Sequence, residues 1–323
     1  MSWTRVLAIV LVMGAALYGT VSAYVVTTGL KPRSLCAPSE GPPRDLDMEA
    51  LGFSSRGDGT RLSGWMMPAE ADRAVILVHG IDSDAWSGAA PDLARAYRSA
   101  GFSVLLFDLR AHGRSGGLRI TLGRREREDI GAAVDLLLHK GIPPGRIALH
   151  GTSYGAAMAI LAAAEIDQIG AVIADSAYAD FRDVIAGEVG HRTLVPRFLA
   201  QWILRPGIQA AGWMLHDIDM ARLAPQRAIT RLENRPVLLI HGSQDPVIPP
   251  DHARRLKDHA SGNVQLWMLE GKGHTEGARA GPCNRVPSPG RDMFLARVVS
   301  FTRAALSDRD RRGGVPHSPG PIR

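Results

Sequence analysis

The pentapeptide Gly151-Thr152-Ser153-Tyr154-Gly155 has the spacing that can turn a serine hydroxyl into a nucleophile. Arg146-Ile147-Ala148-Leu149-His150 ahead of it reads as a short buried strand. Ala156 to Ala164 behind it, a run of Ala, Met, Ile and Leu, reads as a helix. A strand, a tight turn and a helix in that order put Ser153 on a sharp, strained corner, its hydroxyl above the sheet edge. Gly151 and Gly155 remove side chains where the turn brings strand and helix together. By itself a G-x-S-x-G pattern in a chain with 35 glycines carries little. The strand and helix on its flanks carry the reading.

A serine hydroxyl is a weak nucleophile at neutral pH. It needs a base, and the base needs a group to orient it. The chain has 11 histidines, so position selects among them. His274 lies in Glu270-Gly271-Lys272-Gly273-His274-Thr275-Glu276-Gly277, directly after the last apolar strand run. Asp245 lies in His241-Gly242-Ser243-Gln244-Asp245-Pro246-Val247-Ile248-Pro249, directly after the preceding run. If these runs are parallel strands, both loops leave carboxyl ends on the edge that carries Ser153. Ser153, His274 and Asp245 are the candidate nucleophile, base and orienting acid. Asp175, at another strand end, is the rival for the acid role. His79, Asp108 and His112 read as residues that shape structure beside the site. His150 and His241 read as strand residues, and Asp82 and Asp84 as solvated loop carboxylates.

The elements that would position these groups alternate along the chain. Strands are expected at Arg61 to Met67 (an edge strand), Ala74 to Val78, Ser103 to Phe107, Ala171 to Ala174, Val237 to Ile240 and Val264 to Leu269. Helices are expected at Pro91 to Ala100, Arg127 to His139 and Asp292 to Leu306. Such alternation predicts an α/β fold with a mostly parallel sheet covered on both faces. Ala177 to Arg235 is too long for a loop. It holds Phe181, Phe198, Trp202, Ile203, Leu204, Trp213 and Met214, broken by Pro196, Pro206 and Pro225. It reads as a small helical lid over the catalytic edge, supplying an apolar pocket.

The chain resembles the α/β-hydrolase superfamily over roughly Leu51 to Leu306. Within it, the chain is similar to bacterial membrane-anchored serine hydrolases of the Bem46-like and serine-aminopeptidase-like groups. The stretches that carry the resemblance are Val78-His79-Gly80, Phe107-Asp108-Leu109-Arg110-Ala111-His112-Gly113-Arg114-Ser115, the serine turn, and the stretches ending at Asp245 and His274. Ala111 stands where the family usually has Gly. The order Ser153, Asp245, His274 is the family's own. The resemblance implies the α/β-hydrolase fold and a Ser-His-Asp triad. It also implies an oxyanion hole built from the backbone N–H groups of Ile81 and Tyr154. The implied activity is a serine hydrolase that cleaves carboxylic esters, with a small-molecule ester or acyl substrate carrying a hydrophobic portion. A peptidase or amidase is the alternative, with Glu188, Asp217 and Asp219 available to recognise an amine. A non-catalytic membrane-tethered binding protein is the third reading. No H-E-x-x-H, paired-cysteine, Walker or dinucleotide-binding pattern occurs, so no metal and no cofactor are implied.

Val6 to Leu30 contains no charged side chain and is long enough to cross a bilayer. We favour a retained signal anchor. A cleaved signal peptide is the second reading, because Val21-Ser22-Ala23 resembles a cleavage site. A helix buried in the fold is disfavoured, because the Pro-rich stretch Lys31 to Arg44 separates the run from the domain. Arg5 against Lys31 and Arg33 would, strictly counted, place the domain in the cytoplasm. A run beginning at residue 6 resembles a secretory signal, which favours the exported side. The expected organisation is 1–30 anchor or signal, 31–48 linker, 49–306 hydrolase domain with a lid at about 177–235, and 307–323 a disordered basic tail.

With 323 residues, 45% of them apolar and 22% charged, the chain can build one large core. Its formal charge of +6 comes without a basic stripe interleaved with aromatics, so no nucleic-acid partner is expected. Cys36 and Cys283 could form one disulfide in an exported domain.

Overall fold

A computed structural model describes residues 2–31, 41–192, 197–232, 235–280 and 286–311, without side chains at 188–192, 197–201 and 308–311. Cys36, Cys283, the Glu188 side chain and residues 312–323 lie outside the described set. Two strands open the domain, β1 (Glu49–Ser54) and β2 (Arg61–Met67). Five apolar runs follow as β3 (Ala74–Val78), β4 (Ser103–Phe107), β5 (Ile147–Thr152), β6 (Ile169–Asp175) and β7 (Val237–Gly242). All their residues are buried except Thr152, the signature of strands covered on both faces. With β8 (Val264–Leu269) they form one sheet in the order β1-β2-β4-β3-β5-β6-β7-β8. β3 to β8 pair in parallel, and β2 joins β4 antiparallel.

Strand alternation divides the core between the two faces. Ile76 and Val78 join a core with α3 (Glu126–His139), α4 (Tyr154–Ala163) and Leu256 of α8 (Asp251–His259). Val75 and Leu77 join a second core with α2 (Ala90–Ser99) and α9 (Arg291–Arg311). Between β6 and β7 the chain makes α5 (Phe181–Arg192), α6 (Arg197–His216) and the short α7 (Pro225–Ala228). This is the helical insertion expected from Ala177 to Arg235. It leaves the carboxyl end of β6, the edge on which Ser153 sits.

Several expectations are corrected. β1 occupies the sheet edge and β2 lies inside it. β1 offers only Leu51 and Phe53 to the core, too few apolar residues to mark a strand. α8 buries only His252, Ala253 and Leu256 among nine residues, so it too carries a faint pattern. α9 continues to Arg311, past the boundary expected at 307.

The larger correction concerns α1 (Trp3–Gly29). The linker does not hold it apart from the domain. Val26 and Leu30 are buried in the core with α3 and α4, Ser22 is buried, and the Ile120 N–H donates to the Leu30 carbonyl at 3.1 Å. The first half of α1 carries no such contacts: Leu7, Val10, Leu11, Val12, Met13 and Leu17 are exposed. Among the described residues it is the one helix long and apolar enough to cross a membrane.

Candidate active site

β5 ends at Thr152 and α4 begins at Tyr154, so Ser153 alone makes the turn. Its φ of 55° and ψ of −116° lie in a sparsely populated region. A non-glycine residue held there costs on the order of 1–3 kcal/mol and needs surroundings that fix it. The Ser153 N–H is pinned to the Asp175 carbonyl at 2.7 Å. No Cβ fits on either flank. At Gly151 it would collide with the Gly155 carbonyl, and at Gly155 with those of Val78 and His79.

The half-buried Ser153 Oγ lies 2.9 Å from His274 Nε2, and His274 Nδ1 lies 2.7 Å from Asp245 Oδ2. The carboxylate only accepts, so Nδ1 carries the proton and Nε2 is left to accept from the serine. Asp245 is buried. Its Oδ1 accepts the N–H groups of Val247 and Ile248 at 2.9 and 2.8 Å, which fixes the carboxylate plane. His241 closes the same loop by donating from Nε2 to the Ile248 carbonyl at 2.7 Å, and burial holds its imidazole below the usual pKa.

The histidine loop is held independently. Gly273 N–H donates to Glu276 Oε2 at 2.8 Å, and Thr275 N–H donates to Ser176 Oγ at 3.1 Å. A Cβ at Gly242 would collide with the carbonyls of Lys272 and Gly273. The end of β7 and the histidine loop therefore cross with no room for a side chain.

The backbone donors expected at Ile81 and Tyr154 flank the serine. Tyr154 opens α4, so its N–H has no intrahelical acceptor and the helix dipole points its positive end there. Ile81 follows Gly80 just past β3. A Cβ built on Gly80 would stand 3.4 Å from the Ser153 Cβ, so this loop runs against the serine.

The sequence model of the alpha/beta hydrolase family matches residues 75–280. The chain belongs to that family. Among the relatives of this alpha/beta hydrolase is Rv2307c of Mycobacterium tuberculosis, 30% identical over 223 residues, which cover 68% of the present chain and 70% of that protein. YfhR of Escherichia coli K12 is 27% identical over 277 residues, covering 83% and 85%. Among solved structures, the Pyrococcus furiosus esterase Pf2001 superposes with a TM-score of 0.65 at 23% identity, covering 85% of this chain and 98% of that one.

In this alpha/beta hydrolase Asp175 does not reach His274 by a hydrogen bond. Its Oδ1 accepts from the Ser176 hydroxyl at 3.1 Å, and Ser176 Oγ in turn holds Thr275, so Asp175 supports the histidine loop from behind. Burial pushes its carboxyl from 3.8 up to about 7; the Ser176 hydroxyl and His274 pull against this, and the Asp245 charge adds to it. Between those two values the unfolded chain has released a proton that the folded chain still holds. Stability should therefore fall as pH rises across that window and then level off. Asp175→Asn removes this titration. The melting temperature of the variant, relative to the parent, should rise between about pH 5 and about pH 8. The same difference at both pH values would show that Asp175 carries no such penalty.

The other residues set aside have structural partners. His79 accepts the Leu109 N–H on Nε2 at 3.0 Å, and its Nδ1 lies 2.7 Å from the Gly80 carbonyl, tying the Ile81 loop to the end of β4. Burial pushes the imidazoles of His79 and His112 down to about 4, so both are neutral. Asp108 accepts the N–H groups of Ala85 and Arg114 at 2.9 and 2.8 Å. His150 is buried against the Tyr97 hydroxyl at 2.9 Å. Asp84 accepts the Trp86 N–H and the Ser87 hydroxyl at 3.0 and 2.9 Å, so it organises a turn. Among the described residues no cluster of His, Cys, Asp or Glu is arranged to hold a metal ion.

The supports that sequence reasoning missed are His241, Glu276 and Ser176. His241, in the Asp245 stretch, and Glu276, in the His274 stretch, had a signal in the chain; Ser176 had none.

Proposed function

We propose that this chain is a serine hydrolase that cleaves carboxylic esters through an acyl-enzyme on Ser153. The observation that carries the reading is the unbroken relay from Ser153 Oγ through His274 to the buried Asp245 carboxylate. Ser153 Oγ attacks the acyl carbon as its proton passes to His274 Nε2. Asp245 steadies the imidazolium that forms. The carbonyl oxygen takes the negative charge and is met by the N–H groups of Ile81 and Tyr154. Collapse breaks the ester C–O bond, and the leaving alkoxide takes the proton from His274. A water then gives its proton to His274 and attacks the acyl carbon. The acid departs as Ser153 regains its proton.

For amine recognition, Asp217 pairs with Arg124 at 2.5 Å and Asp219 with Arg222 at 3.2 Å. These carboxylates already have cationic partners, which favours the ester over the peptide reading. The apolar insertion suits a substrate with a hydrophobic portion. We further propose that α1 is a retained membrane anchor, with residues 49–306 forming the hydrolase domain on the exported side.

A fluorophosphonate probe should form an adduct on Ser153 in the full chain and none in His274→Ala. Mass spectrometry of the digested protein locates it. Folded protein that takes no label would end the serine-hydrolase reading. Hydrolysis of a p-nitrophenyl ester compared with the matching anilide tests the ester preference.

A further inference from the structure

α6 does not close its own hydrogen-bond ladder. Pro206 lies inside it and has no N–H to give. One residue on, the Tyr18 hydroxyl of α1 enters the ladder. It accepts the Gly207 N–H at 2.8 Å and donates to the Ile203 carbonyl at 2.6 Å. Glycine lets the helices approach there, since a Cβ at Gly207 would stand against Ser22 Oγ and the Tyr18 ring. Further along, Thr27 Oγ1 meets His216 Nε2 at 3.1 Å. The two helices therefore run side by side in the same direction, with Tyr18 level with Ile203 to Gly207 and Thr27 level with His216.

That register says how deep α6 sits if α1 crosses a bilayer. The hydrocarbon layer takes about 20 helical residues. Arg5 is the last charge before the apolar run, so about 20 residues counted from Val6 reach Val25. The stretch from Val6 to Leu17, which ends before the Tyr18 bond to α6, spans only about 18 Å at 1.5 Å per residue. The remaining thickness can come only from the part of α1 that lies against α6.

The outward face of α6 has the chemistry this placement demands. Trp202 is 85% exposed, Trp213 65% and Met214 74%, with Ile203 and Leu215 about half exposed. Trp213, three residues before His216, lies where the layer should end, the place tryptophan favours, and Trp202, level with the middle of the apolar run, would meet acyl chains. A cationic side chain stands where the layer should end. Arg119 Nη1 is 3.0 Å from His216 Nδ1, at the level of Thr27. An arginine at that depth matches anionic headgroups.

We propose that the outward face of α6, from Trp202 to Leu215, is a membrane-contacting surface whose occupant is the lipid bilayer. The inference rests on α1 being a membrane anchor, as proposed above. α6 then lies beside α1 in the bilayer, with its His216 end at the interface.

The test uses the full chain in vesicles of phosphatidylcholine and phosphatidylglycerol, prepared with and without brominated acyl chains, which quench nearby tryptophans. Of the six tryptophans, Trp3 reports on α1, and Trp202 and Trp213 on α6. Replacing each with Phe, one at a time, removes its share of the quenched emission. Trp3→Phe, Trp202→Phe and Trp213→Phe should each lower the quenched amplitude. A loss with Trp3→Phe but none with Trp202→Phe or Trp213→Phe would overturn the proposal and leave the anchor standing. α6 would then face water or a second copy of the chain. No loss with any of the three would remove the anchor reading, and this proposal with it.

Discussion

Ser153→Ala is expected to lower kcat/KM on p-nitrophenyl esters by about 10⁶-fold, the scale seen when a triad serine is deleted. The substitution removes one half-buried hydroxyl whose hydrogen bond runs to His274. The turn itself is held by the Ser153 N–H on Asp175 and by the glycines on either side. These contacts remain in the alanine variant, so its melting temperature should stay close to that of the parent. Steady-state kinetics and a thermal melt on one preparation check both halves. Activity within about a hundredfold of the parent, in folded protein, would place the chemistry elsewhere.

Asp245→Asn should cost about 10⁴ in kcat, and Asp175→Asn less than about tenfold. Both oxygens of Asp245 are committed, Oδ2 to His274 Nδ1 and Oδ1 to two backbone N–H groups. An amide must turn its NH₂ toward one side. Facing His274, it meets a proton and forces the other tautomer, which takes Nε2 out of service as a base. Facing the backbone, it opposes two donors and loosens the loop. Asp175 is different: burial keeps its carboxyl protonated up to about pH 7, so an amide resembles the form already present. The ratio of kcat values for the two variants decides the matter. A larger loss with Asp175→Asn would exchange their roles.

The parts of the fold that were legible in the chain are those with dense local signals. Val75-Ile76-Leu77-Val78 and Val237-Leu238-Leu239-Ile240 announce buried strands because every position is apolar. Ser153 was legible because its glycines answer local collisions of strand with helix. Gly242 also answers a collision, but with a loop some thirty residues away, and its reason appears only in three dimensions. β1 was missed because Leu51 and Phe53 gain their partners from distant residues. The seating of α1 was missed for a related reason. Leu30 looks like the end of an apolar run, and nothing nearby says that Ile120 will take its carbonyl. Asp245 was preferred over Asp175 on the motif of its loop, and the path of that loop toward the imidazole appears only in three dimensions.

The bond from Gly207 to Tyr18 joins residues 189 positions apart. Chains are made at about 5–20 residues per second, so roughly 10–40 s separate the synthesis of its two partners. Through that interval Tyr18 lacks both of its partners on α6. Only when α6 emerges with its interrupted ladder can Tyr18 find both its donor and its acceptor. The join between the first helix and the sixth is thus a late event in the maturation of this protein.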